Sequence, residues 1–222
     1  AKHLTESLKR TGRYGKTIVF CVDQEHALDM RKALKKCNTD LVKIHPHYIE
    51  RVVSDEGKFG RAHLDDFQDP ENETPVILTT SQMLTTGVDA PTCRNIVLFR
   101  PIGSMTDFKQ IIGRGTRVLE EHDKFFFTIY DYVGATQLFY DQAFDGDPVR
   151  VTRTKIDEQG KEVETQDSET GTLQEEPPPN PPDIPGIDGD SGHKTGEPRK
   201  YYLDGVSVYI VGEQAYELDP EE

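Results

Sequence analysis

The stretch Thr17-Ile-Val-Phe-Cys-Val22 is a run of apolar and β-branched residues, and the pattern changes in the segment that follows it, Gln24–Cys37. In that segment Ala27, Met30 and Leu34 recur at helical spacing, and charged residues take the opposite face. A buried strand followed by an amphipathic helix is the unit from which mostly parallel sheets are built. This stretch therefore predicts an α/β fold.

The same alternation continues for more than one hundred residues. Strand character recurs in four later runs: Leu41–His45, Pro75–Thr80, Arg94–Arg100 and Phe125–Tyr130. Helices are predicted between and after them at Arg61–Gln68, from Ser104 onward, and at Ala135–Phe144. Ser104 is followed three residues later by Asp107, which resembles a capping box. Five strands with intervening helices predict one doubly wound, mostly parallel sheet with helices on both faces, over residues 1–148.

The sequence after residue 148 is different in character. Residues 149–165 contain two strand-like runs around Asp157-Glu-Gln-Gly160, which predicts a β-hairpin. Residues 166–200 hold seven of the fourteen prolines and many acidic residues, which predicts a disordered acidic linker. Residues 201–222 regain strand character around Gly212–Gln214, which predicts a terminal β-hairpin that begins a further C-terminal region and needs a docking surface.

The net charge of −14 is unevenly distributed along the chain. Residues 1–150 contain 20 basic and 22 acidic residues, whereas residues 151–222 contain 6 basic and 18 acidic residues. The first part is therefore close to neutral and has room for a local basic groove that could meet nucleic acid.

Cysteine usage and hydropathy bear on the compartment. The three cysteines, Cys21, Cys37 and Cys93, are odd in number and widely spaced, which favours a reducing environment over a disulfide framework. No run approaches the roughly 18 apolar residues of a membrane span. These features predict a cytoplasmic protein without membrane contact.

The segment Gln110-Ile-Ile-Gly-Arg-Gly-Thr-Arg117 places Arg114 and Arg117 three residues apart, behind a glycine. Two guanidinium groups on one helical edge suit a polyphosphate, and they can neutralise charge on a transferring γ-phosphoryl group. The triplet Gly15-Lys16-Thr17 is not a P-loop, because Arg10 stands where the first glycine is needed and the triplet opens a strand instead of a helix. The chain therefore contains one half of a nucleotide site.

Three ordered motifs resemble those of a known family. Thr17–Ala27, Ile77–Pro91 and Gln110–Arg117 are similar to motifs IV, V and VI of the second RecA-like domain of superfamily 2 helicases and translocases. The resemblance covers roughly residues 11–150. The combination of Leu84-Thr-Thr-Gly-Val-Asp89 with Gly113-Arg-Gly-Thr-Arg117 resembles most closely the motor of type I restriction enzyme R (HsdR) subunits. It implies that the sheet has the RecA-like arrangement.

The resemblance also implies roles for individual residues. Arg117, as the arginine finger, and Arg114 are the implied catalytic cations that reach the γ-phosphate of ATP across a domain cleft. The implied ATP-binding residues are Gly87, Asp89, Gln110 and Gly113, with Gly87 allowing close backbone approach and Asp89 accepting a hydrogen bond. The implied nucleic-acid-binding residues are Thr79, Thr80 and Thr86, which would contact phosphates. His45-Pro-His47 has no apparent supporting ligand, so no metal site is predicted there.

Together these features imply the second motor domain of an ATP-dependent DNA translocase, part of an ATP-hydrolysing type I restriction endonuclease. ATP and Mg²⁺ would be held mainly by a preceding RecA-like domain of the same polypeptide, so this chain alone is expected to be inactive. The implied partners are double-stranded DNA and the methyltransferase and specificity subunits. The alternatives are half of a superfamily 2 DNA-repair or RNA helicase, or a non-catalytic RecA-like interaction module. A further hypothesis is that the acidic tail regulates DNA access by mimicking phosphate charge.

Overall fold

The computed structural model describes residues 1–81, 90–113, 124, 126–136, 150–157, 159–168, 200–203 and 206–217, with backbone alone for 126, 200–203 and 206–217. Its helices are α1 (Lys2–Thr11), α2 (Gln24–Cys37), α3 (Thr39–Ile44), α4 (Gly57–Gln68) and α5 (Met105–Ile112), and a 3-10 turn covers Ser54–Glu56. Its strands are β1 (Thr17–Phe20), β2 (Ile49–Arg51), β3 (Ile77–Thr80), β4 (Asn95–Leu98), β5 (Phe126–Asp131), β6 (Arg150–Asp157), β7 (Glu162–Ser168), β8 (Lys200–Leu203) and β9 (Val206–Glu217).

The first five strands form a parallel sheet in the order β2-β3-β1-β4-β5. β1 lies at its centre, where Phe20 is opposite Thr80 of β3 and Leu98 of β4. We call these strands and the helices α1 to α5 the parallel half. The prediction of an α/β fold with a mostly parallel five-stranded sheet is confirmed.

Both faces of the parallel half are covered, and β1 shows how the sequence achieves this. Ile18 and Phe20 pack on one face, against residues of α4 and α5 that include Phe67 and Phe108. The alternate residues Val19 and Cys21 pack on the other face against α1, α2 and α3. Because every strand residue is buried on one side or the other, a parallel strand forms a continuous apolar run in the sequence.

The prediction of a second strand at Leu41–His45 is wrong. This segment belongs to α3, which buries Leu41 and leaves the side chain of Ile44 exposed. The edge strand beside β3 is β2, a few residues later, where Ile49 is fully buried. Periodicity does not separate a short apolar helix from a short strand, and here burial of Ile49 beside β3 decides which segment joins the sheet.

The remaining strands continue the sheet with antiparallel pairing, in the order β5-β9-β6-β7, and β8 also pairs with β9. We call β6 to β9 the antiparallel half. Gly160, in the turn between β6 and β7, has a positive φ of 78°, which glycine adopts without steric cost. β7 extends through Ser168, three residues into the predicted linker. β9 runs unbroken through Gly212–Gln214, where we predicted a turn.

Several predicted segments lie wholly or partly outside the described residues. They include residues 169–199 of the linker and 137–144 of the last predicted helix. Among the described residues, no helix combines the length and apolar character needed to cross a membrane.

All three cysteines are free thiols. Cys21 and Cys93 are buried on opposite faces of the parallel sheet. Cys21 lies in the core beneath α1 and α2, and Cys93 lies in the core beneath α4 and α5. Burial raises the pKa of Cys21 to about 12 and that of Cys93 to about 11. Cys37, at the end of α2, is half-buried.

Candidate functional site

The carboxyl ends of β1 and β4 define the candidate site. The two strands are neighbours, but the chain leaves β1 toward β2 on one side of the sheet and leaves β4 toward β5 on the other. Ligands of open α/β sheets bind in the crevice that such a reversal creates beyond the strand ends. The helices that follow these strands, α2 and α5, therefore bound the candidate site.

Helix α5 carries the first half of the Gln110–Arg117 motif. Its buried residues Phe108, Ile111 and Ile112 hold it against the sheet, and Gln110 points to the exposed side. Gly113, at the end of the helix, is also exposed, and a side chain there would bring its Cβ within 3.1 Å of the Lys109 carbonyl oxygen. The helix thus presents Gln110 to solvent while its apolar face stays packed.

The start of α5 is fixed by a cap and an ion pair. The hydroxyl of Ser104 accepts a hydrogen bond from the Asp107 backbone N–H at 3.1 Å, as the predicted capping pattern requires. The guanidinium of Arg100, which is nearly buried just after β4, donates to the carboxylate of Asp107, with 2.6 Å between Nη2 and Oδ1. This pair joins the end of β4 to the first turn of α5. Sequence reasoning used Asp107 and missed Arg100, although an arginine just after a buried strand was the available signal.

An aromatic group surrounds the same edge of the sheet. Phe99, after β4, stacks on Tyr132, after β5, with ring centroids 4.1 Å apart and an angle of 20° between the planes. The Tyr132 hydroxyl lies 2.8 Å from Nδ1 of His3 in α1, and His26 of α2 contacts the Phe99 ring edge-on. Four elements meet in this group, and sequence reasoning did not identify it because its members are far apart along the chain.

Asp131 shapes the turn after β5. It is almost completely buried, and its carboxylate accepts hydrogen bonds from the Val133 N–H at 3.0 Å and from the N–H and hydroxyl of Thr136, both at 2.7 Å. Gly134 lies within this turn at a positive φ of 73°. The hydrogen bonds of the Asp131 carboxylate therefore hold the turn in which the chain leaves the sheet.

Thr79 and Thr80, predicted to contact nucleic acid, are both fully buried at the end of β3. The Thr79 hydroxyl donates to the Ala27 carbonyl oxygen at 2.9 Å and so ties β3 to α2. The Thr80 hydroxyl has no hydrogen-bond partner among the described residues. In this arrangement the Thr79 hydroxyl makes its hydrogen bond within the protein, and the predicted contact of the two threonines with nucleic acid stays a prediction.

Lys16 shows why the glycine-lysine triplet before β1 is not a phosphate loop. Its ammonium donates to the carbonyl oxygens of Asp66, Phe67 and Asp69, at 3.2, 2.9 and 3.3 Å, and thereby caps the end of α4. Desolvation lowers the pKa of Lys16 to about 8, although the nearby carboxylates of Asp69 and Asp66 oppose the shift. The side chain lies at the amino end of β1, opposite the crevice.

The described residues contain part of the predicted site. Gln110 lies in the last turn of α5 and Gly113 directly follows the helix, and Thr79 and Thr80 lie together at the end of β3. The other predicted site residues lie outside the described residues: Thr86, Gly87, Asp89, Arg114 and Arg117.

Comparison with known proteins agrees with this arrangement. Residues 1–118 match the family described as the helicase conserved C-terminal domain. Because this match covers more than half of the chain, the chain belongs to that family.

The most informative relatives are restriction enzymes. The chain is 41% identical, over its full length, to the type I restriction enzyme EcoAI endonuclease subunit of Escherichia coli, and 34% identical, over 78% of the chain, to the EcoKI endonuclease subunit of strain K12. It spans 29% of the first protein and 15% of the second.

A solved structure supports the same conclusion. The structure of a fragment of an HsdR subunit of a type I restriction enzyme from Vibrio vulnificus YJ016 matches 73% of this chain and 32% of its own, with a TM-score of 0.68 and 58% identity. The resemblance to the helicase C-terminal domain of HsdR subunits, identified from the motifs, is thereby confirmed.

Proposed function

We propose that the chain is the second motor domain of an ATP-dependent DNA translocase, within the R subunit of a type I restriction endonuclease. The observation that carries the proposal is the setting of α5. The helix is anchored by its buried face and by the Arg100–Asp107 pair, and it directs Gln110 and Gly113 outward immediately before Arg114 and Arg117. A rigid helix of this kind can deliver cations to a ligand held by another domain.

In this proposal Arg117 is the arginine finger, and Arg114 supplies a second cation. Gln110 and Gly113 line the approach on α5, with Gly87 and Asp89 contributing from the motif that follows β3. The residues of this chain fit a partial role at ATP, because the glycine-lysine triplet at Lys16 is not a P-loop and the Lys16 ammonium is bonded to the end of α4. ATP and Mg²⁺ are therefore assigned mainly to a preceding RecA-like domain, and the 222-residue chain alone should not hydrolyse ATP.

The proposed DNA contact follows the motif after β3. Thr86 and the backbone near Thr80 would position a phosphate of double-stranded DNA, a contact that does not depend on base sequence. The buried Thr79 contributes indirectly by joining β3 to α2.

Methyltransferase and specificity subunits would assemble with the intact protein. Residues 1–148 are proposed as the motor domain, with the later residues as an extension.

The test is kinetic and uses the full-length protein. Arg117→Ala should lower DNA-stimulated ATP turnover by about 10³–10⁵-fold, because the transition-state charge loses its cation, while ATP binding stays near the wild-type level. Turnover is measured by phosphate release, and binding by titration with a fluorescent nucleotide.

Arg150→Ala is the matched control, because Arg150 is an exposed arginine at the start of β6, outside the proposed site. Its turnover should equal that of the wild type. Normal turnover in Arg117→Ala would refute the role of the motif. A strand-displacement assay run beside a triplex-displacement assay separates the alternative of an unwinding helicase from the proposed translocase.

A further inference from the structure

Two histidines and a glutamate from separate parts of the chain meet beside β2. His47 precedes the strand, Glu50 lies within it, and His63 lies on α4. One potential ligand atom from each side chain lies within 4.8 Å of the other two. Nδ1 of His47 is 3.0 Å from Oε1 of Glu50, and the centroids of the two imidazole rings are 5.4 Å apart. We call these residues the histidine-glutamate cluster.

The donor atoms of this cluster have a defined chemical preference. Two imidazole nitrogens and one carboxylate oxygen form a donor set that zinc takes in tetrahedral sites, with a fourth position left for water. His47 is 66% exposed, so water has access to that position, whereas Glu50 is buried. The cluster thus combines a fixed carboxylate with two imidazoles that have room to adjust.

The charges around Glu50 are compatible with a bound cation. Arg31 contacts Oε2 of Glu50 at 2.5 Å, and Lys35 contacts Oε1 at 3.3 Å. A metal ion on Oε1 would displace Lys35 from Glu50, while the Lys35 ammonium would keep its second hydrogen bond, to the Pro46 carbonyl oxygen at 3.3 Å, and the Arg31 contact would stay in place. In known metal sites, hydrogen bonds to a ligating carboxylate fix its orientation toward the metal, and the Arg31 contact would do the same for Glu50.

We propose that His47, Glu50 and His63 bind a divalent transition-metal ion, zinc in particular, which clamps α4 to the edge strand β2. The sequence-based expectation of no metal site considered His45 with His47. The structure directs His45 to the ring of Tyr14 and brings His63 from α4 in its place. Glu50, three residues after His47, was the overlooked ligand.

The experiment uses the whole 222-residue chain, stripped of metal with a chelator, and titrates it with zinc chloride by calorimetry. The wild type should bind a single zinc ion, and cobalt substituted for zinc should give the visible absorption of a tetrahedral site. Binding to the native state should also raise Tm, because zinc then stabilises the folded chain by mass action. His47→Ala and His63→Ala should each weaken zinc binding at least about tenfold, since each removes one ligand.

His45→Ala is the matched control, because it removes a neighbouring histidine that is not in the cluster. It should leave zinc affinity and the cobalt spectrum unchanged. Neither cluster variant touches the Arg31–Glu50 pair, and circular dichroism without metal verifies that both are folded. Absence of zinc binding by the wild type, or an equal loss in His45→Ala, would overturn the proposal.

Discussion

Strands β1, β3 and β4 of the parallel half are buried along their whole length, whereas β6 of the antiparallel half alternates between buried and partly exposed residues. Apolar packing on two faces holds the first set of strands. The β6–β7 pair has polar links instead, including Lys155 with Glu164 and Thr152 with Asp167, both at 2.6 Å. The family match, residues 1–118, falls within the parallel half. The match to the family therefore coincides with the core that is covered on both faces and does not extend over the whole sheet.

The largest expected difference between the halves is in the free energy of unfolding. Ile96→Ala removes a fully buried side chain from β4 and should cost about 4 kcal/mol, because the rigid core relaxes little around the cavity. Ile156→Ala removes a side chain that is 8% exposed in β6, and should cost about 2 kcal/mol. Urea unfolding of both variants measures the two values. Equal losses would mean that the halves are packed equally well.

A smaller effect is expected where the two halves meet, at His3. Nδ1 of His3 bonds to Tyr132 of the parallel half, while Nε2 lies 3.5 Å from the Glu162 carboxylate of β7. Desolvation lowers the pKa of His3 from 6.5, although Glu162 opposes the shift. Since the unfolded chain then takes up the proton more readily, stability from this group is present above pH 6.5 and falls as the pH decreases through that value.

His3→Phe keeps an aromatic ring and removes the titrating group. At neutral pH the unfolding free energy of the variant should be about 1 kcal/mol lower than that of the wild type, because the hydrogen bond to Tyr132 is lost. The difference in unfolding free energy between wild type and variant should become smaller below pH 6.5, because only the wild type loses the stability that depends on His3. Unfolding free energies measured above and below that pH test the prediction, and a widening gap would contradict it.

The smallest effect is expected at the Lys155–Glu164 pair of the antiparallel half. Its side chains are 33% and 42% exposed, so water and salt screen the attraction. A double-mutant cycle with Lys155→Ala and Glu164→Ala should give a coupling energy that is smaller than the effect of His3→Phe and that decreases with added salt. A coupling energy as large as that effect, or one that does not respond to salt, would show that polar links contribute more to this half than their exposure suggests.

Much of the parallel half could be predicted from local patterns. β1 and β4 are continuous apolar runs, α2 has a helical repeat, and the Ser104 cap marks the start of α5. These features are encoded by residues close together in the chain. The strand predicted at Leu41–His45, where the structure has α3, was wrong for a different reason. Only contact with β3 selects Ile49–Arg51 as the edge strand.

Less of the candidate site could be predicted. The Gln110–Arg117 motif identified α5, since its residues are contiguous, but the contacts that support the helix join distant positions. Arg100 depends on the path taken after β4, and the Phe99–Tyr132 stack depends on the adjacency of β4 and β5. Burial of the Thr79 hydroxyl against Ala27 likewise depends on how α2 crosses β3. No local spacing encodes such tertiary contacts.

The positions of the cysteines have a practical consequence for following motions of this chain. Cys21 and Cys93 lie under opposite faces of the parallel sheet, and their raised pKa values leave almost no reactive thiolate while each face stays closed. Cys37 is partly accessible and supplies an internal reference for reagent reactivity. Brief exposure to an alkylating reagent, followed by mass spectrometry of the peptides, would therefore time the opening of each helical layer separately without any introduced label.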